Sequence, residues 1–299
     1  MLDSLSGRIP GAMVNFDYIV DKIQKTDLDF QPFRHLYLEN VFRDEDFARI
    51  TAAPEVDIPP AENDEQLMQE LYRHNFKEIE FPGTTTNIAR YLAWHSNPKA
   101  SKNLNQETCE GYGVTVRLQR TSENTILRDA DDFFRSDRFW HALQLKFGIG
   151  ASDVRRDVGL QKYLDGYEIS PHPDIRAKAL TFMININPSP NAEKLDYHTH
   201  YMVFRPEWDY IRAFWSSDTA ADRCWVPWDW CISKKTQTRN NSMVIFSPSN
   251  DSLHAVKACY DHLATQRTQF YGNLWYNTTV VKRSPNFRDL AMLAALQTA

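Results

Sequence analysis

A chain of 299 residues, 42% hydrophobic and 24% charged, is long enough to bury one sizeable core and is neither disordered nor repetitive in composition. Its net charge of −5 gives no general electrostatic attraction to nucleic acid or anionic lipid, so neither is expected as a partner. No basic segment followed by an apolar one opens the sequence, and no run of about 18 apolar residues occurs, which excludes a secretory leader and a membrane helix and makes the expected location cytoplasmic. Cys109, Cys224, Cys231 and Cys259 show no CxxC spacing and read as free thiols in that compartment.

In chain order, Tyr18 to Ile23 is a short amphipathic fragment, and Phe33 to Phe42 is an extended apolar segment feeding an acidic helix start at Asp44. Prolines make Pro54 to Pro60 a loop, and Glu65 to His74 reads as a helix. Phe81 to Leu104 is turn chemistry around a short helix, and Gly111 to Arg120 alternates like a strand. The aromatics of Asp129 to Phe147 recur near helical spacing, which predicts one amphipathic helix with those rings in the core. Strands are expected at Ser242 to Phe246, Leu253 to Lys257 and Gln266 to Tyr276, and their short spacing favours an antiparallel β fold over a βαβ repeat. The layout is therefore a single domain over 1–299. A support of helices and strands fills 1–150, the β core spans 151–282 with an insertion at about 195–240, and a terminal helix at 283–299 packs on the barrel or serves a homodimer.

The chemistry centres on Gly159 to Asn187, where His172-Pro173-Asp174 follows a strand-like alternation. On an extended chain, residues two apart share a face, so an imidazole and a carboxylate project together. With a second histidine they make a set of three that leaves positions open on Fe(II). His-x-Asp alone is common by chance. His254, at the start of a short strand, supplies the third ligand, and Arg267 opens the last strand with Gln269 on the same face. That order of His-x-Asp, distant histidine and following arginine is much rarer. Asp196-Tyr197-His198-Thr199-His200 is a competing metal cluster without a following arginine, and His262 is a competing distal ligand in a polar loop.

On these residues, Tyr163 to Asn187 and Asn241 to Tyr276 resemble the core of the Fe(II)/2-oxoglutarate-dependent oxygenases, most closely the prolyl-hydroxylase-like branch. The resemblance implies a mainly β fold with flanking helices, built on a double-stranded β-helix, a cupin-like jelly roll. It implies that His172, Asp174 and His254 hold iron and that Arg267 binds the far carboxylate of 2-oxoglutarate. Tyr163 and Asn185 become candidates to touch that cosubstrate, in a setting where Lys178 and Thr181 also match the family pattern. Many members carry a serine where this chain has Gln269, which places Gln269 beside the same carboxylate.

The implied reaction couples O2 and 2-oxoglutarate, with ascorbate as a reductant for the iron, to hydroxylation of an unactivated C–H bond, releasing succinate and CO2. Halogenating relatives have a small residue in place of Asp174, so hydroxylation is expected. The expected substrate is a small molecule such as an amino acid, a nucleoside or a natural-product intermediate. A peptide or protein substrate is the alternative within that chemistry, and a non-catalytic cupin-like binding protein is the alternative outside it. Between Asp174 and His254 lies a segment holding Trp208, Trp215, Trp225, Trp228 and Trp230, five of the eight tryptophans. It reads either as a cover burying a barrel face or as a lid over the site.

Overall fold

A computed structural model describes residues 14–80, 83–97, 113–119, 124–150, 153–218 and 224–277. The helix expected at 283–299 lies outside them, as does Cys109. The N-terminal half holds α1 (Asp17–Lys25), β1 (His35–Glu39), α2 (Asp44–Thr51), α3 (Asp64–Arg73), β2 (Phe76–Glu78), α4 (Ile88–His95), β3 (Thr115–Leu118), α5 (Thr125–Arg135) and α6 (Asp137–Phe147). The remainder holds β4 (Val154–Tyr163), β5 (Glu168–His172), β6 (Lys178–Asn185), β7 (Thr199–Phe204), α7 (Tyr210–Ser217), β8 (Cys231–Thr236), β9 (Ser242–Phe246), β10 (His254–Lys257) and β11 (Arg267–Tyr276). No helix among the described residues is long and apolar enough to cross a membrane.

The strands form two antiparallel sheets, β1-β9-β6-β11-β4-β3-β2 and β5-β10-β7-β8. From β4 onward the chain passes between them, with β4, β6, β9 and β11 in the larger sheet and β5, β7, β8 and β10 in the smaller. Eight strands divided this way are a double-stranded β-helix, the jelly roll expected from the sequence. The two sheets are not closed into one barrel by hydrogen bonds. Between them pack Phe33, Met183, Tyr201, Val244, Phe246 and Tyr271.

The N-terminal half does more than support, since β1 extends the larger sheet beyond β9, and β2 and β3 extend it beyond β4. The outer face of that sheet meets the helices, with Phe134 of α5 5.4 Å from Phe182 and 5.3 Å from Phe270, ring centre to ring centre. Gly272, beside them on β11, is required by this packing. A Cβ there would lie 2.2 Å from a ring carbon of Phe182.

Two expectations are corrected. The single helix over Asp129 to Phe147 is two, because Ser136 adopts an extended conformation, ends α5 and accepts the Phe139 N–H through its hydroxyl to start α6. Aromatic periodicity carries through the break and conceals it. The insertion is also shorter than 195–240, since Thr199–Phe204 and Cys231–Thr236 are integral strands of the smaller sheet. The tryptophans around them had masked their alternation.

Lys162 of β4 points outward and is fully buried, donating to the Val56 carbonyl at 2.7 Å and to Thr268 Oγ1 at 2.9 Å. Burial pulls its pKa from the ordinary 10.5 down to about 7, with Asp57 opposing weakly. Between those values the unfolded chain holds a proton that the folded one has released, so folding stability contributed here rises with pH and is lost as pH falls toward 7. In urea titrations, the stability of the wild type minus that of Lys162→Met is expected to climb between about pH 7 and pH 10 by up to about 1.4 kcal/mol per pH unit. A flat difference would contradict it.

Candidate metal centre and active site

His172 closes β5 and His254 opens β10, and the antiparallel register makes them direct partners. Their rings lie 4.2 Å apart, centre to centre. Each ring is oriented by its own backbone: His172 Nδ1 lies 2.8 Å from the Ser170 carbonyl, and His254 Nδ1 lies 2.9 Å from that of Ser252. A carbonyl only accepts, so both Nδ1 atoms carry the hydrogen and both Nε2 lone pairs are left for a ligand. The Nε2 atoms face one carboxylate, with His172 Nε2 3.7 Å from Asp174 Oδ1 and His254 Nε2 3.9 Å from Asp174 Oδ2.

Asp174 arrives by a different route from the one the two-residue period suggests. β5 ends at His172, and Asp174 sits beyond it with φ of 69°, a left-handed turn that aspartate tolerates better than most residues. Lys178 Nζ donates to its Oδ1 at 2.7 Å, and Thr181 Oγ1 donates to its Oδ2 at 3.2 Å. Ser252 Oγ donates to the Pro173 carbonyl at 2.9 Å, joining the turn to the loop that leads into His254.

Burial is the largest influence on all three groups. It pulls His172 down to about 3, with His254 adding to the effect, and it lowers His254 as well, so both imidazoles are neutral. For Asp174 burial acts upward, but the Lys178 ammonium 2.7 Å away overrides it and holds the carboxyl at about 2. Two neutral nitrogen donors and one ionised oxygen donor, all buried and with atoms within 4.8 Å of one another, are what a divalent first-row metal requires.

Arg267, 1% exposed, stands on the facing sheet at the start of β11, opposite Tyr163 on β4. Its Nη2 donates to Thr199 Oγ1 at 2.9 Å, and its guanidinium lies 4.7 Å from the Tyr163 ring centre. Nε and Nη1 are buried and have no partner among the described residues. Leaving such donors unpaired is costly, so they are suited to an anionic ligand. His172, Asp174, His254, Arg267, Tyr163, Gln269, Lys178, Thr181 and Thr199 all border one cavity. Asn185 does not border it. Its Oδ1 accepts from Gln269 Nε2 at 2.7 Å while its Nδ2 donates to the Gln237 carbonyl, so it holds Gln269 in place instead.

The competing histidines turn elsewhere. His198 Nε2 meets the Ala192 carbonyl at 3.0 Å and His200 Nδ1 meets Ser233 Oγ at 2.9 Å, while Thr199 between them faces Arg267. Thr199 was missed because the histidines beside it drew the reading; strand alternation puts it on the opposite face.

His262 belongs to a second group with Asp64 and His95. Its Nδ1 accepts the Asp165 N–H at 2.9 Å, so Nε2 carries the proton and donates to Asp64 Oδ1 at 2.6 Å. His95 spans Asp64 and Asp165 at 2.7 and 2.9 Å. With its ring nitrogens so engaged, this is a hydrogen-bonded clasp between α3, α4 and the barrel loops, and His262 has no lone pair free for a metal.

The tryptophan-rich segment covers the outer face of the smaller sheet, where Trp208, Trp228 and Trp230 pack on Met202, Phe204, Leu253 and Ala255. It also braces the turn that carries Asp174. Arg176 donates to the Trp215 carbonyl at 2.7 Å, and the Val226 N–H donates to the Pro171 carbonyl at 3.0 Å. A larger cavity of about 610 Å³, between Phe33, Phe204, Arg212 and Leu253, shares no bordering residue with the triad cavity.

No family model and no curated protein matches the chain. Solved structures similar to it include a prolyl hydroxylase from Trichoplax adhaerens in complex with a hypoxia inducible factor oxygen degradation domain peptide fragment, at 9% identity and a TM-score of 0.40, covering 87% of this chain and 88% of that one. A prolyl-4-hydroxylase from Pseudomonas putida is similar at 9% identity and a TM-score of 0.39, covering 88% and 99%. HygX from Streptomyces hygroscopicus, with nickel, 2-oxoglutarate and hygromycin B bound, is similar at 7% identity and a TM-score of 0.37, covering 85% and 92%. Likeness this distant says nothing of this chain's chemistry, for which the side chains speak.

Proposed function

We propose that this protein is an Fe(II)- and 2-oxoglutarate-dependent oxygenase that hydroxylates an unactivated C–H bond of a small molecule. One observation carries the reading: two neutral imidazoles aimed at one ionised carboxylate share a cavity with a buried guanidinium, two of whose donors have no partner among the described residues. His172, Asp174 and His254 would hold the metal. Iron with O2 and the keto acid supplies the oxidising chemistry, releasing succinate and CO2, with ascorbate keeping the metal ferrous.

The chain's own residues bind and orient. Arg267 takes the far carboxylate of 2-oxoglutarate through its Nε and Nη1 edge, Tyr163 packs on the guanidinium face, and Gln269, two residues on along β11, borders the same cavity. Lys178 and Thr181 keep Asp174 turned toward the histidines. Tyr167, Ile169, Met183 and Val256 close the walls with little polar surface and exclude water.

Purified protein given Fe(II), ascorbate and 2-oxoglutarate in air is expected to release succinate even without its substrate, and His172→Ala is expected to abolish that release. Succinate formation that persists in His172→Ala, or a wild type that binds neither Ni(II) nor 2-oxoglutarate, would refute the assignment.

A further inference from the structure

The clasp of Asp64, His95, Asp165 and His262 is mostly shielded from water, its side chains running from 15% exposed at His95 to 1% at His262. His95 Nδ1 lies 2.7 Å from Asp64 Oδ2, and its Nε2 lies 2.9 Å from Asp165 Oδ2. An ionised carboxylate only accepts, so both ring nitrogens carry hydrogen and His95 is an imidazolium shared by two anions. Burial acts upward on Asp64, but hydrogen bonds from His262 and His95 override it and hold the carboxyl well below its usual range. Also facing His95 are the neutral His262 ring, 4.6 Å away centre to centre, and Tyr91 of the same helix, whose hydroxyl is held protonated by burial. Removing the His95 proton would turn a nitrogen lone pair on one of the two carboxylates, in a place where water is scarce.

From Asp165 the network runs on to Arg267. Asp165 Oδ1 accepts the Tyr260 N–H at 3.0 Å. The Tyr260 hydroxyl, held protonated by burial, accepts the Arg267 N–H at 2.9 Å and donates to the Tyr163 carbonyl. Arg267 and Tyr163 are opposite partners on β11 and β4, and Tyr260 fastens the two backbones at that pair. His262 adds a second tie, its carbonyl accepting from Gln266 Nε2 at 2.7 Å, one residue before Arg267. A histidine of α4 is thus three hydrogen bonds from the backbone that carries the buried guanidinium.

We propose that His95 is a positioning residue whose proton sets the affinity for the keto acid: charged, it holds Asp165, Tyr260 and the Arg267–Tyr163 pair in the arrangement that grips the far carboxylate, and uncharged, it lets that grip loosen. The inference rests on the oxygenase reading above. Proton and keto acid are then coupled ligands, each tightening the hold of the other. Among the described residues, the hydrogen bonds of this network lead to Arg267 and Tyr163 and not to His172, Asp174 or His254, so metal affinity is left unchanged.

Calorimetry on the full chain loaded with Ni(II) follows 2-oxoglutarate affinity between about pH 7 and about pH 9.5. The wild type is expected to weaken by about 10-fold across that range, within the span usual for coupled sites, and to take up protons as it binds at the alkaline end. His95→Gln, uncharged throughout, is expected to bind 2-oxoglutarate about 10-fold more weakly than the wild type at the neutral end, to lose nothing more on the way to the alkaline end, and to keep its Ni(II) affinity. Tyr260→Phe cuts the network at its last bond and is expected to flatten the profile in the same way, so that adding His95→Gln to it changes nothing further. A flat wild-type profile, wild-type affinity in His95→Gln, a pH dependence that survives in either variant, or losses that add in the double variant overturns the proposal. An equal loss of Ni(II) in His95→Gln overturns it too, since the role is then support of the whole fold. Should His95→Gln fail to fold, the wild-type profile and Tyr260→Phe decide. A wild type that binds no 2-oxoglutarate at any pH sinks the oxygenase reading itself, which is a different failure from binding that ignores His95.

Discussion

Replacing Arg267 with methionine is expected to raise the half-saturating concentration of 2-oxoglutarate by about 100- to 1,000-fold while leaving Ni(II) affinity close to that of the wild type. The guanidinium is 1% exposed and, among the described residues, only its Nη2 has a partner, which leaves Nε and Nη1 suited to a ligand. Truncating one member of a buried, hydrogen-bonded charge pair costs about 2–5 kcal/mol, and each 1.4 kcal/mol is a factor of ten. Arg267→Lys is expected to fall between the two, since an ammonium keeps the charge but loses the planar fork. Succinate release against 2-oxoglutarate concentration measures it. An unchanged half-saturation in the methionine variant would remove Arg267 from the site.

The second large effect concerns Asp174. Asp174→Asn is expected to abolish tight Ni(II) binding and, separately, to destabilise the metal-free fold by about 3 kcal/mol. Asparagine keeps the shape and accepts the left-handed backbone at φ of 69°, so the change isolates the charge. It strands Lys178, whose carboxylate partner in the ligand-free fold is Asp174 at 2.7 Å, and removing one member of a buried pair is far costlier than never having had it. Combining Asp174→Asn with Lys178→Met is expected to restore most of the loss in urea denaturation without restoring metal binding. Additive losses would mean that the two side chains do not act as a pair.

The triad and the arginine could be picked out because each lies near a strand end that local pattern announces: apolar stretches at 179–186 and 242–246 and an aromatic-rich one at 266–276, with turn residues between. Even there, Asp174 lies beside the two histidines through a left-handed turn and not through the two-residue strand period that pointed to it. What was not legible has physical reasons. Thr199 is brought to the cavity by a hydrogen bond from Arg267, 68 positions away, that no local pattern encodes. β7 and β8 carry tryptophans and charges on their flanks that resemble an insertion more than a sheet. Asn185 was expected to touch the cosubstrate; it does not border the triad cavity and instead accepts from Gln269 Nε2, a contact 84 positions apart that no local pattern encodes. The strands that the N-terminal half adds to the larger sheet depend on pairing across the chain, such as β1 with β9, and a strand on its own carries no sign of its neighbour.

The two sheets exchange no backbone hydrogen bonds, and the two imidazoles belong to one while the guanidinium belongs to the other. An ion and a keto acid seated between them would act as a rivet through both leaves of the sandwich. Occupancy would then set how long the folded molecule survives as well as how fast it turns over, because whatever binds only the folded form draws the population toward it. A cell short of iron would be left with a looser, shorter-lived protein.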